Sequence, residues 1–145
     1  MTKKIIIIGS GFSSISASTY LADKGYDVTI LEKNKSFGGR ARKFKAQGFT
    51  FDMGPSWYWM PDVFEKYFND FNKKVDDYYT LKKLDPAYRV YFAKNDFIEI
   101  GDNLEKISQT FEEHEKGSSK KLMKFMAEAK KNYSIAMEKV VYKPG

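Results

Sequence analysis

Apolar positions along this 145-residue chain alternate between short β-branched runs and longer stretches with helical spacing. Ile5, Ile6, Ile7 and Ile8 stand in a row and end at Gly9. Such a run predicts a strand over residues 2–8, buried on both faces. Residues 12–24 predict a helix with Ile15, Thr19 and Ala22 on one side, and Gly25 stands where a helix would terminate. Residues 26–31 predict a second strand, so strand, helix and strand within 31 residues form a compact right-handed βαβ unit.

Beyond Glu32 the pattern changes. Residues 34–40 predict a turn-rich loop, and residues 42–46 and 49–53 a hairpin around Gln47 and Gly48. Pro61 opens a helix to residue 71 with Val63, Phe64, Tyr67, Phe68 and Phe71 on its apolar side. A second hairpin is expected over 88–93 and 97–100. Asp102 and Glu105 then have capping-box spacing for a helix to about residue 115. After Gly117 a long helix over 118–142 is expected, with Leu122, Met126, Ala129, Tyr133, Met137 and Val140 at helical spacing.

Between the first strand and the first helix lies Gly9-Ser10-Gly11-Phe12-Ser13-Ser14, the position that a dinucleotide fingerprint requires. Gly9 suits the tight turn, and Gly11 lets the backbone approach a pyrophosphate. The helix N-terminus then offers N–H groups and a positive dipole end. Ser14 stands where the pattern has its third glycine. Glu32, 21 residues after Gly11, closes the second strand. A carboxylate there accepts the hydroxyls of an adenosine ribose and repels a 2′-phosphate. The register of strand, loop, helix, strand and acid points to an ADP-containing cofactor.

Composition narrows the chemistry. The chain has no cysteine and His114 as its one histidine, so a disulfide scaffold, a Cys-ligated metal, a Cys nucleophile and a multi-His site are excluded. No metal ligands are assigned, and His114 reads as a surface residue. The net charge of +6 is concentrated in two places: +6 over residues 33–45 and +5 over residues 116–131. No helix-turn-helix, zinc finger or RNA-binding aromatic platform accompanies it, so nucleic acid is not expected as a partner. No apolar run approaches the roughly 20 residues that span a bilayer, and no secretory signal is expected, which leaves a soluble intracellular protein as the default.

The segment after Glu32 separates this chain from a plain NAD fingerprint. Instead of a crossover helix come Lys33, then Gly38, Gly39 and Arg40, then a hairpin. The glycine pair permits close backbone approach, and Arg40 offers a fork of donors to phosphate or ribose. With "EKNKSFGGRAR", "GFTFDMGPSWYWMPDVFEKYF" and "LDPAYRVYF", residues 3–100 resemble the N-terminal part of a bacterial or fungal carotenoid (phytoene) desaturase. That family lies within the FAD-dependent amine oxidase-like flavoproteins.

The resemblance implies FAD along the first strand and its loop. Gly9, Gly11, Phe12, Ser13 and Ser14 would face the pyrophosphate, and Glu32 with Lys33 the adenosine ribose. Gly39 and Arg40 would face the phosphate–ribose region, and Gly54, Pro55 and Ser56 would bring backbone to the flavin ring. It implies a polyene substrate whose hydride passes to flavin, with quinone or oxygen as final acceptor; no catalytic residue is assigned. Related readings are a carotenoid saturase, a ketolase, an amine oxidase, or a non-catalytic nucleotide- or lipid-binding fragment.

Trp57, Tyr58, Trp59 and Met60 suit either a hydrocarbon channel or interface packing. The helix over 118–142, with Lys120, Lys121, Lys124 and Lys131, suits either a solvated basic face or an anionic lipid surface. The expected arrangement is α/β: residues 1–60 begin a Rossmann-like FAD-binding domain, 61–117 a substrate-binding region, and 118–145 a membrane-facing helical part. The expected location is cytoplasmic, peripheral to the inner face of the cell membrane. Two parallel strands cannot stand alone, so an incomplete fold is expected.

Overall fold

The computed structural model describes residues 2–54 and 57–142. It divides into two compact units, Met1–Thr80 and Leu81–Gly145. The first helix after the βαβ unit packs within the first unit, and the long basic helix within the second.

In the first unit, strands β1 (Lys4–Ile8) and β2 (Asp27–Leu31) pair in parallel, with Ile5 opposite Val28 and Ile7 opposite Ile30. Helix α1 (Phe12–Asp23) connects them and ends where Gly25 takes φ +82°, its N–H donating to the Ala22 carbonyl. Burial on both faces is not what the strands show. Ile5, Ile7, Val28 and Ile30 are half-buried, whereas Ile6, Ile8 and Leu31 are 66%, 85% and 52% exposed. One crossover helix covers one face of a parallel pair; a second layer is needed for the other. On α1 the half-buried positions are Ser14, Ser16, Ser18, Thr19 and Leu21; of the expected stripe Thr19 is among them, whereas Ile15 and Ala22 are exposed, so mostly small side chains occupy the covered positions.

Strands β3 (Arg42–Ala46) and β4 (Phe49–Met53) form the expected hairpin. Gln47 and Gly48 both have positive φ, +50° and +82°, the turn whose twist matches paired strands. Helix α2 (Pro61–Asp70) starts on its proline, and Val63, Phe64, Tyr67, Phe68 and Phe71 are all half-buried, as its periodicity predicts. It docks on α1 through aromatic rings: Tyr20 lies 5.9 Å from Tyr67 and 4.9 Å from Phe71. The Tyr67 hydroxyl donates to Thr19 Oγ1 at 2.8 Å, and that of Tyr20 to Asp70 at 2.5 Å. Each ring pair adds about 0.5–1.5 kcal/mol beyond its buried area.

The second unit holds the hairpin β5 (Tyr88–Ala93) and β6 (Asp96–Ile100), with an irregularity between Tyr91 and Ala93, then helices α3 (Leu104–His114) and α4 (Ser118–Ala136). The Asp102–Glu105 capping box does not form. Asn103 is the cap, its Oδ1 accepting the Lys106 N–H at 3.0 Å, an interaction worth about 1 kcal/mol. Asp102 instead pairs with Lys106 Nζ at 3.0 Å and Lys83 Nζ at 3.8 Å. Glu112 reaches from α3 to accept the N–H groups of Gly117 (2.7 Å) and Ser119 (3.0 Å) at the start of α4, which holds its carboxyl below the usual range. The predicted 118–142 helix is α-helical to Ala136 and continues as a π-helical turn over Met137–Val141. His114 is exposed, its Nδ1 3.0 Å from the Thr110 carbonyl.

Candidate dinucleotide-binding site

The loop after β1 is organised by backbone. Gly9 takes φ +93°, and its N–H donates to the Leu31 carbonyl at 2.7 Å, which carries β1–β2 pairing to the ends of both strands. Gly11 is the N-cap of α1 with φ −74°, and no side chain caps the helix. Its first turn carries no acidic residue, and Ile15 N–H is the donor to the Gly11 carbonyl at 3.0 Å. The main-chain N–H groups of Phe12, Ser13 and Ser14 thus form the open, positive end of the helix.

Glycine at position 11 has no explanation in the chain's own packing. Its φ is open to any residue, and a Cβ there would meet nothing within 4 Å among the described residues. Space of that kind in front of a helix N-terminus fits an anion drawn up to the backbone. At the third glycine position, Ser14 is half-buried.

Glu32 lies at the carboxyl end of β2 and is clamped. Its Oε2 accepts the Ser10 N–H at 2.9 Å and the Ser10 hydroxyl at 2.7 Å. Its Oε1 accepts the Asn34 N–H at 2.8 Å and the Asn34 side-chain amide at 2.7 Å. The Asn34 N–H, then the two Ser10 donors, draw the Glu32 carboxyl from 4.5 down to about 2. The carboxylate's four acceptor positions are filled. Two of the donors are main chain and fixed; the other two sit on side chains that can swing aside for a ribose diol. Ser10 is 4% exposed, among the few buried polar residues described.

The sequence reading does not single out Ser10 and Asn34 as site residues, although an asparagine two residues after a carboxylate is a local signal for such a bond. The clamp makes stability depend on pH. Because folding lowers its pKa, Glu32 adds stability that is complete above 4.5 and fades as pH falls toward 2. Urea midpoints measured downward from pH 4.5 are expected to fall less steeply in Glu32→Ala than in the parent. Identical slopes would refute the clamp.

The loop after β2 folds back on the glycine turn. Gly38 N–H donates to the Ser10 carbonyl at 2.8 Å, and a Cβ on Gly39 would lie 3.2 Å from Gly11 Cα. Gly38, Gly39, Arg40 and Ala41 form a turn closed by the Ala41 N–H and the Gly38 carbonyl at 3.0 Å. Arg40 and Lys33 are exposed. Gly54 follows β4 with φ +131°; Pro55 and Ser56, the other two expected flavin neighbours, lie outside the described residues. Trp57 and Trp59 are 60% and 66% exposed, whereas Tyr58 packs 4.7 Å from Phe64, and its hydroxyl shares a 2.6 Å hydrogen bond with that of Tyr79. Burial and that bond push the Tyr58 phenol up. No cluster of three or more His, Asp or Glu residues that would suit a metal occurs among the described residues.

Comparison with known proteins agrees with this geometry. Residues 7–73 match the NAD(P)-binding Rossmann-like domain. A Rossmann-like match of this kind implies a dinucleotide cofactor. The chain is also 45% identical over 138 residues to a carotenoid 3,4-desaturase of Haloarcula japonica, covering 95% of this chain and 28% of that protein. It is 38% identical over 144 residues to a 4,4'-diapophytoene desaturase (4,4'-diaponeurosporene-forming) of Staphylococcus haemolyticus, covering 97% of this chain and 29% of that one. The corresponding Staphylococcus aureus protein is 39% identical over 145 residues.

Over nearly its whole length this chain is similar to carotenoid and diapophytoene desaturases. It spans less than a third of the length of these relatives, in keeping with a parallel sheet that has one face uncovered. Among the described residues, no helix is long and apolar enough to cross a membrane.

Proposed function

We propose that this chain is the N-terminal portion of an FAD-dependent oxidoreductase that desaturates a carotenoid precursor such as phytoene. One observation carries the reading: similarity to desaturases runs over 95–97% of the chain, well past the Rossmann-like residues 7–73. The Gly38-Gly39-Arg40 turn, absent from a plain NAD fingerprint, favours FAD over NAD. When bound, FAD would supply the two-electron acceptor for the hydride released as a carbon–carbon single bond becomes a double bond, the second hydrogen leaving as a proton to solvent.

The chain's own residues bind and orient. The first-turn amides of α1, with Gly9 and Gly11, would receive the pyrophosphate, and Ser14 would let that turn lie close to β1. Glu32 would accept the adenosine ribose once the Ser10 hydroxyl and Asn34 amide yield two acceptor positions, with Lys33 beside it. Arg40, carried by Gly39, would offer guanidinium donors to the phosphate–ribose region. Gly54 with Pro55 and Ser56 would approach the flavin ring through backbone. Exposed Trp57 and Trp59 would give a polyene an apolar, rigid wall.

A quinone or oxygen would serve as final electron acceptor. Membrane access to the polyene is supported by α4, where Lys120, Lys121 and Lys124 are exposed beside Met123, Phe125 and Met126, 47%, 65% and 40% exposed. The protein would then act from the cytoplasmic side as a peripheral protein. In functional terms, residues 1–60 would serve the cofactor, 61–117 the substrate and 118–145 the membrane surface.

The test is purification of the full-length protein and reconstitution with phytoene in liposomes. Retained flavin and new conjugated double bonds are expected. A full-length protein that retains NAD and no flavin would overturn the proposal.

A further inference from the structure

We infer that Gly54 is a positioning residue: the bare Cα after β4 seats the Arg40 main chain, and so aims the guanidinium at the phosphates of the bound nucleotide. This rests on the proposed role of Arg40 as a phosphate ligand and assigns Gly54 a task distinct from an approach to the flavin ring.

The contact is steric and entirely main chain. A Cβ on Gly54 would stand 2.3 Å from the Arg40 carbonyl oxygen, 3.3 Å from its carbon and 3.8 Å from Ala41 Cα. The nearest of these is far inside contact distance, and a backbone oxygen cannot swing away as a side-chain end can. Gly54 also holds φ +131°, a region that residues with a Cβ rarely adopt.

The hairpin dictates this meeting. The two-residue turn at Gln47 and Gly48 sets the register, so Arg42 faces Met53, and one step further Gly54 meets residues 40 and 41. From the opposite side, the turn bearing Arg40 rests on the phosphate loop through the Gly38 N–H bond to the Ser10 carbonyl, and Gly39 lies so near Gly11 that a Cβ on it would stand 3.2 Å from Gly11 Cα. Arg40 therefore sits on a backbone gripped from two sides: by the nucleotide loop and by the end of β4. Its side chain makes no hydrogen bond among the described residues, so only the backbone sets the direction from which it reaches. Displacing the carbonyl to admit a methyl group moves the base of the arginine.

The experiment uses the full-length protein with two probes, ADP and adenosine, in the parent, Gly54→Ala, Arg40→Ala and the double variant. ADP affinity is expected to fall about tenfold in each single variant. The double variant should be no weaker than the weaker single, and adenosine affinity should be unchanged throughout. Multiplying losses in the double variant, equal weakening of adenosine and ADP, or parental affinity in Gly54→Ala each overturn the seating role. Parental ADP affinity in Arg40→Ala overturns instead the reading of Arg40 on which it rests. If Gly54→Ala does not fold, Gly39→Ala compresses the same turn from its other side at a softer 3.2 Å contact. A smaller loss, again confined to ADP and non-additive with Arg40→Ala, is then expected; an additive loss overturns the inference.

Discussion

Gly11→Val is expected to cost the full-length protein at least about 100-fold in dinucleotide affinity, close to 2.7 kcal/mol, with little change in its folding. The separation of the two effects comes from the site. Gly11 has an ordinary φ of −74°, and a Cβ built there touches nothing within 4 Å, so the branch point of a valine fits the described chain. Its methyl groups would stand in front of the first-turn amides of α1, where a pyrophosphate must make main-chain contact. Calorimetric titration with FAD and ADP, alongside thermal melting of the apoprotein, measures both sides. A variant that binds as the parent does would show that the anion is held elsewhere.

Glu32→Ala is expected to lower affinity for FAD by about 10- to 100-fold, the scale set by hydrogen bonds to a charged group, about 1.5–3 kcal/mol. The substitution removes the acceptor of both ribose hydroxyls and also unties Ser10 from Asn34, which meet on that carboxylate. The two consequences separate by ligand. Loss of ribose recognition weakens FAD more than its 2′-deoxyadenosine analogue, whereas a loosened loop weakens both alike. The expected result is a parent that discriminates between the two ligands and a variant that does not. Equal affinity of the parent for both would assign Glu32 to loop structure alone.

How far these residues are legible in the sequence depends on the range of the forces that place them. Gly9, Gly11 and Glu32 can be read because a strand–turn–helix–strand unit has one short register, and the acid falls at its end by counting. The hairpin at Gln47 and Gly48 and the helix starting at Pro61 are legible for the same reason: φ preference and missing donors act on the residue itself. The cap of α3 lies one residue beyond its expected place. Asp102 and Asn103 are both good caps, and the choice falls to Asn103 because Asp102 is drawn to Lys106 and Lys83.

The sequence by itself determined the order and kind of the elements, the glycine turn at a helix N-terminus and the acid beyond it, because each rests on local backbone chemistry. Tertiary structure decided which donors fill the Glu32 carboxylate, which face of the isoleucine strand is covered and which backbone Gly54 touches. Those are meetings between segments well separated along the chain, fixed by register and packing, where the chemistry of either partner alone is silent.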